Sequence, residues 1–231
     1  ASGEFYVPLA TTEGALVASY NRGMRVIHES GGSTVTIAQD HMQRSPAFLF
    51  ASAREARDFG LWINENIENI RTVAQGTTSV GMLEGITQFA VGPNLYLRFD
   101  YTTGDAAGQN MTSKATNAAC QWITSAYPHN VDFILSGNID TDKKHSQINT
   151  LLSRGKRVIA EVTTTAHTLH NLVGVSPKDL FRARQISQAG AFMAGSANNG
   201  AHAANGLTAL FIATGQDVAN IAESHSGLLY T

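Results

Sequence analysis

The chain has 231 residues, a formal net charge of −2 and a sequence pI near 6.5. It lacks the broad basic character that proteins use to bind nucleic acid or an anionic membrane, so we expect neither partner. Charged residues make up 15% of the chain, against roughly 25% in typical domains. We therefore predict an oligomer that hides part of its surface between subunits.

The single cysteine, Cys120, rules out an internal disulfide and fits a reducing compartment. No apolar run is long enough to span a bilayer, and the amino terminus does not resemble an export signal. From these features we expect a cytoplasmic protein. The chain starts at Ala1 rather than at an initiator methionine, so we expect that its ends are not the natural ones.

The first predicted element is a helix with Thr12 as its N-cap and Glu13 in its first turn. A glutamate there interacts favourably with the helix dipole, which explains Glu13 structurally. A catalytic role for Glu13 needs support from other parts of the sequence. Arg22 and Arg25 are three residues apart and share a helix face, where they could bind phosphate or remain solvated. A short strand is predicted over residues 33–37.

The middle of the chain predicts strands and helices in the order β-α-β-β-α-β. A strand at residues 47–51 precedes a helix between Ser52 and Gly76, and a hairpin turns at residues 92–94. A second helix, from Gly108 to about Tyr127, returns to an apolar run at residues 131–135 that predicts a buried strand. This is the ferredoxin-like order, and it indicates an α+β fold.

The segment from Tyr101 to Met111 joins a strand to the second of these helices. Gly104 and Gly108 permit close backbone approach, and the amides at a helix start can bind an anion such as a dinucleotide pyrophosphate. The segment is not the glycine-rich fingerprint of a Rossmann unit. A plain tight turn is the alternative.

The stretch from Ser136 to Lys144 gathers two lysines, two carboxylates, an amide and a hydroxyl directly after the predicted buried strand. A lysine flanked by Asp140 and Asp142 could stay charged and stabilise negative charge that develops on a carbonyl oxygen. A solvated turn with structural ion pairs is the alternative.

The carboxy-terminal part predicts a strand over residues 156–162, a helix that starts at Ser176-Pro177, and closely approaching helices over residues 190–205. His202 and Asn205 are three apart, which fits a polar pair in the core or part of a pocket wall. Asp217 could orient a lysine or solvate a helix end. The histidines show no metal-ligand spacing, so we expect no metal site.

Four of these motifs together resemble 3-hydroxy-3-methylglutaryl-coenzyme A (HMG-CoA) reductase of class I, in the style of the soluble bacterial and archaeal members. They are residues 11–19, 104–111, 136–144 and 215–217. The resemblance runs through essentially the whole chain. It implies an oxidoreductase of the mevalonate pathway of isoprenoid biosynthesis, which reduces HMG-CoA to mevalonate and coenzyme A with two NADPH. It also implies a homodimer, or a tetramer built from dimers, with active sites at the subunit interface.

The resemblance implies a domain division as well. Residues 46–134 would form a small, ferredoxin-like NAD(P)-binding domain without a Rossmann fold. That domain would be inserted into a larger, mainly helical α/β domain for substrate and coenzyme A, formed by residues 1–45 and 135–231.

The resemblance also implies roles for single residues. Glu13 would give a proton to the carbonyl oxygen, Lys143 would stabilise the oxyanion, and Asp217 would link the two by hydrogen bonds. The hydroxymethylglutaryl part would be held by Arg44, Ser136, Asn138, Asp142, Lys144 and Asn205. Coenzyme A would be held by Ser19, Asn21, Arg22 and Arg25, and the dinucleotide by Arg44, Asp105, Gly108, Gln109 and Asn110.

Three departures from the family pattern stand beside the resemblance. The family's catalytic histidine would lie beyond Thr231, and His225 is not its counterpart, so we expect a piece truncated at both ends. Ser79 stands where an arginine usually pairs with the 2′-phosphate of NADPH, which should narrow the preference for NADPH and leave NADH usable. A substrate-binding lysine of the eukaryotic enzymes has no counterpart near Gln185 and Ile186.

Two alternatives therefore stay open. The chain as it stands could be a noncatalytic fragment that binds coenzyme A or a dinucleotide, or that oligomerises. The scaffold could also carry out another acyl-coenzyme A reaction, which would form product without oxidising the cofactor.

Overall fold

The structure is a computed structural model that describes residues 2–9, 13–199 and 202–231. The chain divides into two compact units. The sheet unit comprises Ile37–Asp142 and Leu151–Arg157, and the helical unit comprises the described residues of 1–36, 143–150 and 158–231.

The described residues form helices and strands in mixed order. In chain order these are α1 (Gly14–Glu29), β1 (Thr34–Arg44), β2 (Ala47–Leu49), α2 (Ala53–Glu65), α3 (Ile67–Gln75), β3 (Met82–Val91), β4 (Asn94–Thr102), α4 (Gln109–Ala126), β5 (Asp132–Ile134), α5 (Gln147–Leu152), β6 (Gly155–Glu161), α6 (Ala166–Val173), α7 (Pro177–Ala194), α8 (Ala203–Ala213), a 3₁₀ turn (Val218–Asn220) and α9 (Ile221–Ser224).

Strand β4 is the centre of the sheet. One of its edges pairs with β3 in an antiparallel hairpin, from Met82 opposite Thr102 to Val91 opposite Asn94. Its other edge is shared by β2 and the end of β1, also antiparallel. Since β5 pairs with β2, the order across the sheet is β5-β2-β4, with β3 on the far side of β4 and β6 beyond β1.

The hydrophobic core of the sheet unit joins the sheet to helices α2, α3 and α4. Strand β4 buries Leu95, Leu97, Phe99 and Tyr101, which alternate along the strand as expected when one face of a sheet is covered. The helices contribute side chains at three- and four-residue spacing, among them Ala56, Phe59, Ile63, Ile70, Ala74, Ala115, Ala119 and Ile123.

Two elements of the sheet unit differ from their predictions. The single helix predicted between Ser52 and Gly76 is two helices that meet at Asn66, whose side chain donates to the Trp62 carbonyl at 2.9 Å and competes with helix continuation. The predicted buried strand at residues 131–135 is the three-residue edge strand β5. Only one face of β5 meets the core, so Phe133 packs there while Ile134 is largely exposed.

The predicted strand at residues 33–37 is also longer than expected. Strand β1 continues to Arg44 because its last residues pair with β4, from Met42 opposite Tyr101 to Arg44 opposite Phe99. This extension carries Arg44 into the sheet unit.

In the helical unit, α7 starts as predicted at Ser176-Pro177, with a capping box in which Ser176 and Asp179 bind each other's backbone N–H groups. The predicted N-cap Thr12 lies outside the described residues. Glu13 is the N-cap of α1 rather than part of its first turn, and its carbonyl accepts the Leu16 N–H at 3.0 Å.

Neither α1 nor α7 contains a buried residue, and on α7 Phe192 and Met193 are more than 80% exposed. Among the described helices, none combines the length and the apolar character that crossing a membrane requires.

Candidate active site

The segment 136–144 has an unusual backbone. Asn138, Thr141 and Lys143 have φ of 70°, 47° and 57°, in the left-handed region that residues other than glycine seldom adopt. Each such residue costs about 1–3 kcal/mol, and strain of this kind concentrates at functional sites. The backbone conformation therefore supports the interpretation of this segment as a functional loop rather than as an ordinary solvated turn.

Lys143 and Asp217 form an ion pair within the helical unit. The Lys143 Nζ lies 2.8 Å from one carboxylate oxygen of Asp217, and the other oxygen accepts the Ala219 N–H at 3.0 Å. The hydrogen bond from Lys143, helped by the one from Ala219, lowers the pKa of the Asp217 carboxyl below its ordinary value. Asp217 thus both faces the lysine and caps the 3₁₀ turn that follows it.

Replacing Asp217 by asparagine is expected to shift the pH dependence of catalysis. Removing the negative charge makes the Lys143 ammonium easier to deprotonate, so the basic limb of the kcat profile should move to lower pH by about one unit. The contribution of the pair to folding is present above the ordinary aspartate pKa and is lost as pH falls through the lowered pKa of Asp217. The measurement is kcat against pH for the full-length wild type and variant.

Asp40→Asn is the matched control, because Asp40 pairs with Lys156 and the two side chains are about as exposed as those of Lys143 and Asp217. Its profile should coincide with that of the wild type. An unchanged basic limb in Asp217→Asn would contradict the role given to this aspartate.

Arg44 is held by two partners inside the sheet unit. Its Nη1 donates to Asp140 at 3.0 Å, and its Nε and Nη2 donate to the Ser113 hydroxyl at 3.1 and 2.5 Å. Ser113 in turn donates to the Gln109 carbonyl at 2.9 Å. This chain of contacts ties Arg44 to the first turn of α4, where the dinucleotide loop is predicted.

The predicted dinucleotide loop ends at Gly108, the N-cap of α4. Gly108 has φ 76°, and a Cβ there would lie 2.4 Å from a Thr103 methyl carbon, so glycine is required on both grounds. No side chain in the described part of the chain caps α4, and Asp105 and Asn110 are exposed. The amino end of α4 is therefore open to an anionic ligand.

Three of the residues predicted to hold coenzyme A line one surface depression of about 240 Å³ in the helical unit. These are Asn21, Arg22 and Arg25 on α1, and the depression is completed by Ala18 and by Leu172 of α6. Two guanidinium groups on one helix face suit a phosphate ligand. Ser19 is not among the lining residues.

The remaining predicted residues are distributed over both units. Ser136 and Asn138 are exposed in the sheet unit, and Lys144 is exposed in the helical unit. Asn205 lies half-buried in the first turn of α8, where its N–H donates to the His202 carbonyl at 3.1 Å. Glu13 presents an exposed side chain at the start of α1.

Sequence reasoning missed the partners of two predicted ligands. Asp142 pairs with Arg154 at 2.8 Å, and Arg44 pairs with Asp140 and Ser113. Ser113 lies one helical turn after Gln109, a spacing that could have indicated it. Asp140 lies in the predicted loop, but no motif or spacing in the sequence indicated that it pairs with Arg44.

No group of three or more histidine, cysteine, aspartate or glutamate side chains able to hold a metal ion occurs within residues 2–9, 13–199 and 202–231. Cys120 is buried in the core, and burial raises the pKa of its thiol. It is a packing residue.

Comparison with known proteins identifies the family. The family model for hydroxymethylglutaryl-coenzyme A reductase matches residues 2–231. The chain is 40% identical, over all of its length, to a 3-hydroxy-3-methylglutaryl-coenzyme A reductase from Aeropyrum pernix, and spans 55% of that protein. It is 42% identical, over 99% of its length, to the protein of the same name from Methanothermobacter thermautotrophicus, and spans 58% of it. The chain thus spans a little over half the length of these relatives.

Solved structures show the same fold. A reductase of this name from Streptococcus pneumoniae superposes with a TM-score of 0.68 at 21% identity, over 93% of this chain and 56% of that one. A structure of the class II enzyme from the same organism, bound to NADPH in open conformations, gives 0.65 at 23% identity, over 93% of this chain and 50% of that one. Together with the match along residues 2–231, these findings place the chain in the hydroxymethylglutaryl-coenzyme A reductase family.

Proposed function

We propose that the full-length protein reduces HMG-CoA to mevalonate and coenzyme A with NADPH, as an enzyme of the mevalonate pathway of isoprenoid biosynthesis. The observation that carries the proposal is the ion pair between Lys143 and Asp217, in which the lysine belongs to a strained loop. The ion pair matches the roles that the family resemblance assigns to these two residues. Identity near 40% with archaeal relatives, against 23% with the class II structure, supports placement in class I.

The residues have distinct tasks in this proposal. Lys143 stabilises the negative charge that develops on the thioester carbonyl oxygen when the carbonyl carbon is reduced. Asp217 keeps that lysine charged and aimed, as its lowered pKa supports. Glu13 supplies a proton to the same oxygen.

NADPH would supply the hydride that reduces the carbonyl carbon. The residues proposed to hold it are Arg44, Asp105, Gly108, Gln109 and Asn110. The open amino end of α4 fits a pyrophosphate, and the Gln109 side-chain nitrogen is a buried donor with no partner in the described part of the chain. Ser79 is exposed and offers no positive charge to a 2′-phosphate, so we expect a narrowed preference for NADPH and some use of NADH.

The substrate residues are assigned on the family resemblance. The hydroxymethylglutaryl part is assigned to Arg44, Ser136, Asn138, Asp142, Lys144 and Asn205, whose amide, hydroxyl and charged groups suit a hydroxy acid. Coenzyme A is assigned to Ser19, Asn21, Arg22 and Arg25. The depression on α1 supports the last three.

We infer that residues 46–134 form a ferredoxin-like cofactor domain inserted into the domain of residues 1–45 and 135–231. Antiparallel pairing of β5 with β2, of β2 with β4 and of β4 with β3 supports this, because the first and third of the four strands are then central. Helices α2, α3 and α4 supply the two helical connections.

We further propose that the protein is a cytoplasmic homodimer or a dimer of dimers. Exposed apolar side chains in the helical unit, such as Ile186, Phe192, Met193 and Tyr230, support a covering partner surface. The single cysteine supports a reducing compartment.

The test is a cofactor-oxidation assay on the full-length protein with HMG-CoA. We expect two NADPH to be oxidised for each mevalonate formed, and we expect NADH to support a measurable fraction of that rate. Coenzyme A or NADPH binding without turnover would favour the noncatalytic alternative. Product release from the thioester without cofactor oxidation would indicate another acyl-coenzyme A reaction.

A further inference from the structure

The sheet unit contains a buried aspartate that the proposed mechanism does not use. Asp140 is completely buried, and its only ion pair among the described residues is with Arg44. Its second carboxylate oxygen is buried without a hydrogen-bond partner in the described part of the chain. A buried ion pair seldom makes a fold more stable than apolar residues of similar size would. A buried carboxylate with one oxygen left without a hydrogen bond contributes even less to stability. Stability alone therefore explains Asp140 poorly.

The geometry points to a positioning role: we propose that Asp140 holds the Arg44 guanidinium in one orientation beside the first turn of α4, so that Arg44 can bind the nicotinamide cofactor. The inference rests on the proposed function of this site. It adds a residue that touches neither cofactor nor substrate and acts through Arg44.

The hydrogen-bond capacity of the two side chains supports this role. An arginine has five N–H donors, and the contacts to Asp140 and Ser113 use three of them. Nη1 and Nη2 each keep one N–H, and the side chain remains 18% exposed. Ser113 uses its full capacity, accepting twice from Arg44 and donating once to Gln109. Arg44 is thus anchored at both ends of its guanidinium while donors for a ligand remain.

The neighbouring loop residue is anchored separately. Asp142, two positions further on, pairs with Arg154, whose second contact is the Gln43 carbonyl at 3.1 Å. Asp140 pairs with Arg44 and Asp142 pairs with Arg154, so Asp140 can be changed without removing Arg154 from Asp142.

The test measures NADPH binding by calorimetry to the full-length protein and its Asp140→Asn variant, which keeps the side-chain shape. We expect the Kd for NADPH to rise about tenfold, because an asparagine oxygen that accepts from Arg44 lacks the negative charge that strengthens this hydrogen bond. Asp100→Asn is the matched control. Asp100 forms a similar, largely buried pair with Arg98 at 2.8 Å, and no contact between Asp100 and Arg44 occurs among the described residues. Its Kd should equal that of the wild type.

Measuring the effect of Asp140→Asn in an Arg44→Ala background distinguishes a positioning role of Asp140 from general damage to the fold. If Asp140 acts through Arg44, adding Asp140→Asn to Arg44→Ala should leave the Kd unchanged, whereas a merely structural role would make the two losses add. Unchanged or tighter binding by a folded Asp140→Asn protein overturns the inference.

If Asp140→Asn does not fold, the Ser113→Ala variant tests the inference instead. This substitution removes the second hydrogen-bond partner of Arg44, so it should also raise the Kd for NADPH. Unchanged binding by that variant overturns the inference. A wild-type protein that fails to bind NADPH would instead overturn the proposed function, so the two failures are distinguishable.

Discussion

Lys143→Ala is expected to lower kcat by about 10²- to 10³-fold, with little change in KM, because it removes one donor to the developing oxyanion. The structure supports an effect on chemistry over one on folding. The Lys143 side chain is 42% exposed and its pair with Asp217 lies at the surface, where an ion pair adds little to stability. The measurement is steady-state NADPH oxidation by the full-length protein at saturating HMG-CoA.

Lys156→Ala is the matched control for this experiment. Lys156 is a similarly exposed lysine paired with a single aspartate, Asp40, and no role in binding or catalysis is assigned to it. Its kcat should stay within about twofold of the wild-type value. A Lys143→Ala enzyme that retains more than half of the wild-type kcat would refute the proposed chemistry.

Phe59→Ala should destabilise the sheet unit by about 3–5 kcal/mol, the usual cost of emptying an aromatic site in a packed core. Phe59 is fully buried on α2. Its ring centroid lies 4.8 Å from that of Phe48, 5.0 Å from Phe50 and 4.9 Å from Tyr127. Neighbours on several sides cannot all move in to fill the cavity, so most of the cost should persist.

Urea unfolding followed by tryptophan fluorescence measures this effect directly. The chain has two tryptophans, Trp62 and Trp122, which stack in the sheet unit with ring centroids 6.0 Å apart, so their emission reports on that unit. Leu61→Ala is the control, because Leu61 lies on the same helix but is 56% exposed. It should cost no more than about 0.5 kcal/mol. Equal losses of stability in the two variants would contradict the burial of Phe59 in the core.

Several local elements could be predicted because short-range signals determine them. The start of α7 follows from Ser176, Pro177 and Asp179. Ser176 and Asp179 accept each other's backbone N–H groups, and Pro177 has no N–H that would need a partner. The bounds of α4 follow from Gly108 and from the periodic small side chains after it. The hairpin between β3 and β4 follows from an apolar stretch before a glycine-proline turn and from alternating apolar residues after it.

Other elements depended on distant partners. The end of β1 pairs with β4, which lies far along the chain, so the predicted strand stopped short of Arg44. The apolar run at residues 131–135 could not reveal that β5 lies at the edge of the sheet that the described strands form, beside β2. The helix break at Asn66 depends on an asparagine side chain that binds a backbone carbonyl, and apolar periodicity does not detect this.

The candidate site divides in the same way. The sequence by itself was sufficient to recognise the family and to name Lys143 and Asp217, because the motifs that carry these two residues are contiguous in the chain. Arg44 lies outside those motifs and was named only through the family resemblance. Only the tertiary structure decided which groups they meet: Arg44 and Asp140 are separated by 96 positions and touch at 3.0 Å. The physical reason is that a carboxylate has the same chemistry wherever it stands. Its role as ligand, cap or positioning group depends on the charges and donors that folding brings beside it.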